Sequence, residues 1–162
     1  MKKILIISAT AGNNLILARK IGDLFKVNHD IITLEDYQLP LYTEKIELVN
    51  QDIINSLCKK IISADGFVIC SPEYNGGSPP ILTNAITWIS VTTDYWRDCF
   101  SDKIGLIATH SGGDGNSFLA TFRKQLEFMG TVVYPRSIQV NKDKEFNLES
   151  SKKIIEKFQK LL

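Results

Sequence analysis

The sequence is poor in the residues that build disulfide frameworks and metal sites. Of 162 residues, three are cysteine and two are histidine. Cys58, Cys70 and Cys99 form no C-x-x-C pair, and neither histidine has a partner at ligand spacing. An odd number of scattered thiols favours core packing in a reducing, cytoplasmic environment. We therefore expect neither disulfide bonds nor a bound metal.

Long apolar runs and a strong charge imbalance are also absent. No stretch approaches the ~20 apolar residues of a membrane span. The apolar run 4–7 is too short for a secretory leader, and it predicts a first strand instead. A net charge of +1 without a long basic run disfavours nucleic acid or an anionic membrane as a partner. No repeat or linker divides the chain, so we expect one domain over residues 1–162.

Segments typical of strands and helices alternate five times along the chain. The predicted strands are Lys3–Ser8, Asp30–Leu34, Gly66–Cys70, Lys103–Thr109 and a fifth within Thr131–Val140 that Pro135 interrupts. The predicted helices are Leu15–Phe25, Gln51–Ser63, one beginning at Pro79-Pro80, Phe118–Met129 and Leu148–Leu162, while Val91–Asp102 is predicted to be a connection. This alternation predicts an α/β fold, a doubly wound five-stranded parallel sheet with helices on both faces. Its flavodoxin-like strand order is 2-1-3-4-5.

Three glycine-bearing loops follow strands one, three and four. In this strand order, ligands bind at the carboxyl ends of strands one and three, where the winding reverses. We therefore expect the three loops to form one binding site. The candidate binding residues are Ser8, Thr10, Gly12, Asn13 and Asn14 in the first loop, Pro72, Glu73, Tyr74, Asn75 and Gly76 in the second, and Ser111, Gly112, Gly113 and Gly115 in the third.

The first loop has small polar residues and opens onto a helix N-terminus, which suits a phosphate group. It has no lysine, so it is not a P-loop. Polar residues in a turn are also ordinary helix caps. The dipole at such a phosphate site contributes ~2 kcal/mol, well short of the ~8 kcal/mol of micromolar binding. The aromatic surface of Tyr74 and the glycines of the other two loops are suited to hold a flat ring.

His110 and Ser111 raise the alternative of a Ser-His hydrolase. The nucleophile-elbow motif G-x-S-x-G fails, because Thr109 stands where its first glycine belongs. Consecutive residues after a strand also point to opposite faces. We therefore expect no catalytic side chain in this pair.

Several motifs together resemble the NADPH-dependent FMN reductase family. Pro72-Glu73-Tyr74-Asn75-Gly76 and the later Leu82-x-Asn84-Ala85-Ile86-x-Trp88 are similar to the family's P-E-Y-N-G and L-K-N-A-I-D-W motifs. Asn14, Leu17 and Ala18 match its first loop, and the segment 36–42 resembles its D-L-P-L-Y element. The first loop is shorter than the family's and has no arginine. Asn116 and Ser117 stand where the family often has glycine and arginine.

The resemblance implies an FMN-binding reductase with NADPH or NADH as electron donor. It implies a small electron acceptor, such as a quinone or free flavin. The redox chemistry would belong to the flavin and no side chain would be catalytic. It also implies a homodimer or homotetramer, for which Trp88 and the Tyr95-Trp96 segment are candidate contacts. The alternatives are ordinary core packing for Trp88 and a packed loop for Tyr95-Trp96. Two further alternatives are a flavodoxin-type electron carrier without enzymatic activity, and a binding or regulatory protein that lost the cofactor.

Overall fold

A computed structural model of the chain describes residues 2–45 and 50–162. The strands are β1 (Lys3–Ser8), β2 (Asn28–Thr33), β3 (Gly66–Cys70), β4 (Ile104–His110), β5 (Val132–Val133) and β6 (Ile138–Val140). The helices are α1 (Asn13–Gly22), α2 (Gln51–Ile62), α3 (Pro80–Thr92), α4 (Trp96–Phe100), α5 (Asn116–Phe128) and α6 (Leu148–Phe158). Short 3₁₀ turns at Leu34–Tyr37 and Gln159–Leu161 follow β2 and α6.

The sheet is parallel throughout, and its order is β2-β1-β3-β4-β5, with β6 also paired to β4. The predicted fold class and strand order are therefore confirmed. β1 lies between its two neighbours with Ile6 beside Ile31 and Val68. All five residues of β3 are buried. Strands that are covered on both faces need apolar side chains on both, which explains their continuous apolar runs.

Helices on the two faces of the sheet bury two separate cores. One core packs α2, α3, α4 and α5 against one face and includes Trp88 and Phe67. The other packs α1 and α6 against the opposite face and includes Leu17 and Phe158. In the part of the chain that the structure describes, no helix has both the length and the apolar character needed to cross a membrane.

The fifth sheet position is occupied by two short strands. β5 pairs with Ile104 and Gly105, whereas β6 pairs with the last three residues of β4. Pro135 lies in the interruption, as predicted, because it has no N–H to give to a ladder. The guanidinium of Arg123 donates to the carbonyls of Val133 and Tyr134, so part of the interrupted backbone finds its partners on α5.

In the segment after the second glycine loop, one prediction was wrong and one open alternative is decided. The predicted connection Val91–Asp102 contains the end of α3 and the whole of α4, which buries Cys99 and Phe100. Trp88 does not face a partner: its side chain is fully buried, and its Nε1 donates to the carbonyl of Pro40 at 2.7 Å. The core-packing alternative therefore holds for Trp88.

Candidate functional site

The loops after β1, β3 and β4 meet at one edge of the sheet and enclose an open cleft of about 570 Å³, called here the central cleft. Its walls come from all three loops and from the segments after β2 and β6. The lining residues are Thr10, Gly12, Asn13, Asn14, Glu35, Pro72, Glu73, Tyr74, His110, Ser111, Gly112 and Lys142. The convergence follows from the topology, because parallel strands end at the same edge.

The first loop presents the N-terminus of α1 to the central cleft. Gly12 is the residue before the helix, and no side chain caps the helix there. Among the described residues, none accepts a hydrogen bond from the backbone N–H of Gly12 or Asn13. By contrast, α2 and α6 are capped by the side chains of Asn50 and Asn147. Unpaired N–H groups at the positive end of a helix suit an anion such as a phosphate.

Two of the predicted first-loop residues have structural partners. Ser8 is fully buried, and its hydroxyl donates to the carbonyl of Thr10 at 2.7 Å. Asn14 is 2% exposed, and its amide joins two elements. Its Nδ2 donates to the carbonyl of His110, and its Oδ1 accepts from the N–H of His110, both at 2.9 Å. Asn14 therefore fixes the first loop against the third.

The second loop contains a two-residue hairpin turn. Tyr74 and Gly77 exchange backbone hydrogen bonds of 3.1 and 3.0 Å. The two residues between them, Asn75 and Gly76, have φ values of 53° and 73°, the left-handed conformation of a type I′ turn. Asn and Gly tolerate this conformation better than other residues do, which explains the sequence locally. The turn leaves Tyr74 half exposed at the cleft.

Glu73 connects the second loop to the third. One of its carboxylate oxygens accepts a hydrogen bond of 2.7 Å from the N–H of Phe118, in the first turn of α5. Its own N–H donates to the Ser111 hydroxyl at 2.7 Å, and that hydroxyl is also 2.7 Å from Thr109 Oγ1. A carboxylate at a helix N-terminus is electrostatically favourable. The side chains of Glu73 and Ser111 therefore hold the loops in place.

The glycines of the third loop differ in their surroundings. A Cβ added to Gly112 or Gly113 would meet no atom of the described residues within 4 Å, so this backbone faces open space. Gly115 has φ 70°, and a Cβ there would lie 2.7 Å from Thr109 Cγ2. Close packing, in addition to its positive φ, therefore requires glycine at position 115.

The structure brings together nine of the fourteen predicted binding residues as lining of the central cleft. The other five, Ser8, Asn75, Gly76, Gly113 and Gly115, do not line it. Sequence reasoning missed Glu35 and Lys142 and gave His110 no role in the site. Glu35 follows β2 and Lys142 follows β6, and both strands end at the edge of the sheet that forms the cleft. That position was the one signal in the sequence that could have indicated them.

Cys70 is a thiol beneath the second loop, at the end of β3. It is fully buried, and burial raises the pKa of this thiol well above its ordinary value. A thiol that stays protonated is a poor nucleophile, so Cys70 packs the core below the cleft.

The residues of the central cleft fit a flavin mononucleotide. The uncapped N-terminus of α1 offers backbone donors for a phosphate. Tyr74 offers an exposed aromatic face, and the backbone at Gly112 leaves the space that a flat ring needs. Gly12 and Gly76 likewise face open space. No described side chain fills the space in front of Gly12, Gly76 and Gly112.

Comparison with known proteins agrees with this geometry. A match to the NADPH-dependent FMN reductase family spans residues 2–145. An uncharacterised protein of Mycoplasma pneumoniae is 30% identical over 115 residues, which is 67% of this chain and 68% of that protein. An NAD(P)H-dependent FMN reductase of Schizosaccharomyces pombe is 27% identical over 74% of this chain and 61% of its own length.

A solved structure of similar fold is that of the flavoenzyme NAD(P)H:acceptor oxidoreductase of Paracoccus denitrificans. It superposes with a TM-score of 0.77 over 99% of this chain and 94% of its own, at 21% identity. This likeness confirms the flavodoxin-like fold. The family match covers most of the sequence, including all three loops of the cleft. The chain therefore belongs to the NADPH-dependent FMN reductase family, a family of oxidoreductases that use FMN and NAD(P)H.

Proposed function

We propose that this protein takes a hydride from NADPH or NADH and passes the electrons, through bound flavin, to a small acceptor such as a quinone or free flavin. The observation that carries this proposal is the central cleft, where three glycine-bearing loops meet around unpaired backbone donors. FMN bound there would supply the redox chemistry, since it can accept a hydride from the dinucleotide and release electrons to the acceptor.

The residues of the chain position the cofactor. The first loop and the N-terminus of α1 bind the phosphate. The hairpin turn at Asn75 and Gly76 does not line the cleft itself, but it follows Tyr74, which does, and presents backbone groups to the ring edge. Gly113 belongs to the same proposal, since its backbone is open even though it does not line the cleft. Donors at the ring edge stabilise the negative charge that reduction places on a flavin. Glu73 already accepts from Phe118, which supports a positioning role and argues against an acid–base one.

Self-association as a dimer or tetramer in the cytoplasm is part of the proposal. Val91, in the last turn of α3, is 54% exposed, and Tyr95, four residues later and just before α4, is 38% exposed. Exposed apolar side chains in one segment favour a protein contact. Light scattering of the purified protein tests this point, because a mass of one chain would contradict it.

The decisive test is the visible spectrum of the protein with FMN, followed by NADPH without oxygen and then a benzoquinone. We expect a shifted flavin spectrum, bleaching by NADPH and recovery with the quinone. Flavin binding without quinone turnover would support the electron-carrier alternative. No spectral change with FMN would refute the proposal and support a protein that has lost its cofactor.

Gly112→Leu is the variant that tests whether the central cleft is the site. Gly112 has no positive φ, and a Cβ there has no atom within 4 Å in the described structure, so a leucine projects into open space without backbone strain. We expect the variant to melt like the wild type and to lose flavin binding. Lys152→Leu, which adds the same side chain to the exposed face of α6, is the matched control and should bind flavin normally. Equal flavin binding by Gly112→Leu and the wild type would place the site elsewhere.

A further inference from the structure

Glu35 is an acidic residue bound to the loop that is expected to hold a phosphate. It lies in the 3₁₀ turn after β2, is exposed, and lines the central cleft. Its Oε1 accepts a hydrogen bond of 2.8 Å from the N–H of Ala11. This carboxylate therefore already occupies one backbone donor of the first loop, next to the unpaired N–H groups of Gly12 and Asn13.

The carboxylate of Glu35 has no ion-pair partner in the part of the chain that the structure describes. Within residues 2–45 and 50–162, no Lys, Arg or His nitrogen lies within 4.0 Å of the Glu35 carboxylate. The loop itself, residues 9–14, contains neither lysine nor arginine. Among the residues that line the cleft, Lys142 is the one lysine, and Glu35 and Glu73 are both acidic. The acidic side chains of the cleft therefore outnumber its lysine, and a phosphate there depends on the backbone donors of α1.

A phosphate at the N-terminus of α1 would meet this carboxylate. It must either displace Glu35 from Ala11 or lie beside it, and both cost binding free energy. Two like charges about 4 Å apart weaken binding by about fivefold in bulk water, and by more at a protein surface where water is partly excluded. The donors of the helix N-terminus offset part of this loss. The uncharged ring and ribityl chain of a flavin do not experience this repulsion.

We propose that Glu35 is a specificity-determining residue that weakens the contribution of the flavin phosphate. FMN and riboflavin then bind with similar affinity, and flavin exchanges with solution. In this arrangement, flavin is a diffusing substrate of the protein as well as its redox group. The inference rests on the proposed function, since it requires that the central cleft binds flavin.

The test compares FMN with riboflavin in wild type and in Glu35→Gln, using quenching of flavin fluorescence to measure Kd. Glutamine keeps the length of the side chain and an oxygen that accepts from Ala11, so it removes the charge and retains the contact. We expect FMN to bind Glu35→Gln about tenfold more tightly than wild type. The Kd of riboflavin should change less than about twofold, because riboflavin lacks the phosphate on which Glu35 acts.

Asp36→Asn is the matched control. Asp36 has the same charge, is exposed and neighbours Glu35, but has no described hydrogen bond to the first loop. We expect it to leave the ratio of the FMN and riboflavin affinities unchanged. Thermal unfolding of each variant shows that the fold is intact.

Three results would overturn the inference. Wild-type protein that binds FMN at least about a hundredfold more tightly than riboflavin would show that the phosphate is held strongly. An unchanged FMN affinity in Glu35→Gln, or an equal gain for both flavins, would show that the charge of Glu35 does not act on the phosphate. These three results leave the proposed function standing. Failure of both flavins to bind any variant would refute the proposed function, and this inference with it.

Discussion

Asn14 provides the sharpest test of how the central cleft is held together. Its side chain is 2% exposed and makes two hydrogen bonds of 2.9 Å to the backbone of His110, on the far side of the cleft. Asn14→Ala removes the side-chain amide, so the N–H and C=O of His110 each lose the hydrogen bond that they make with it. A buried polar group without a partner costs about 1–3 kcal/mol, so we expect a loss of about 3 kcal/mol in the free energy of unfolding.

Thermal unfolding followed by circular dichroism measures this loss. For a chain of this size, 1 kcal/mol lowers Tm by about 2–4 °C, so Asn14→Ala should melt about 6–12 °C below wild type. Asn13→Ala is the matched control, because Asn13 is exposed and its side chain makes no described hydrogen bond. Its effect should stay within about 0.5 kcal/mol.

Hydrogen exchange gives a second, local measurement. The amide of His110 should lose protection in Asn14→Ala and keep it in Asn13→Ala, because its acceptor is the side chain of Asn14. Equal melting temperatures for the two variants would refute the reasoning. So would a His110 amide that remains protected without Asn14.

Three further predictions concern other contacts. Glu73→Ala should lower the free energy of unfolding by about 1–2 kcal/mol, because α5 loses a charged acceptor at its first turn, and Glu73→Gln should recover part of this in urea titrations. The backbone N–H of Lys3 is the main cause that holds the pKa of Asp65 below 3.8. The ionised carboxylate therefore stabilises the folded protein above pH 3.8, and this contribution is lost as the pH falls below that value. Asp65→Asn should be less stable than wild type at neutral pH, and the difference in free energy of unfolding should shrink in acid titrations below pH 3.8. Trp88→Phe should lower the free energy of unfolding, measured by urea titration, by about 2–3 kcal/mol. The smaller ring leaves a cavity, and the carbonyl of Pro40 loses the hydrogen bond that it accepts from the indole. A midpoint equal to that of wild type would contradict the buried position of Trp88.

The strand order was predictable from the sequence because its signals are local. Each buried strand is a short apolar run, and each of the three functional loops begins where such a run ends. The turn at Asn75-Gly76 is also local, since two residues that accept positive φ stand side by side. Topology then brings the three loops to one edge without any knowledge of side-chain contacts.

The features that the sequence did not predict depend on contacts between distant residues. Glu73 and Phe118 are 45 positions apart, and nothing near either residue indicates that one caps the helix of the other. The helix α4 is five residues long, too short for an apolar period to be visible. Lys142 reaches the cleft because β6 pairs with the end of β4, and the sequence indicated only that a strand ends nearby.

The divided strand at the fifth sheet position has a consequence for how the protein behaves at high concentration. An uninterrupted outer strand would present a row of free N–H and C=O groups on which another chain could add a strand. Here the row is broken into segments of two and three residues by a stretch that contains Pro135, and Arg123 holds carbonyls within that stretch. This side of the sheet is therefore a poor template for fibril growth, because Pro135 interrupts its outer strand and the guanidinium of Arg123 binds neighbouring carbonyls.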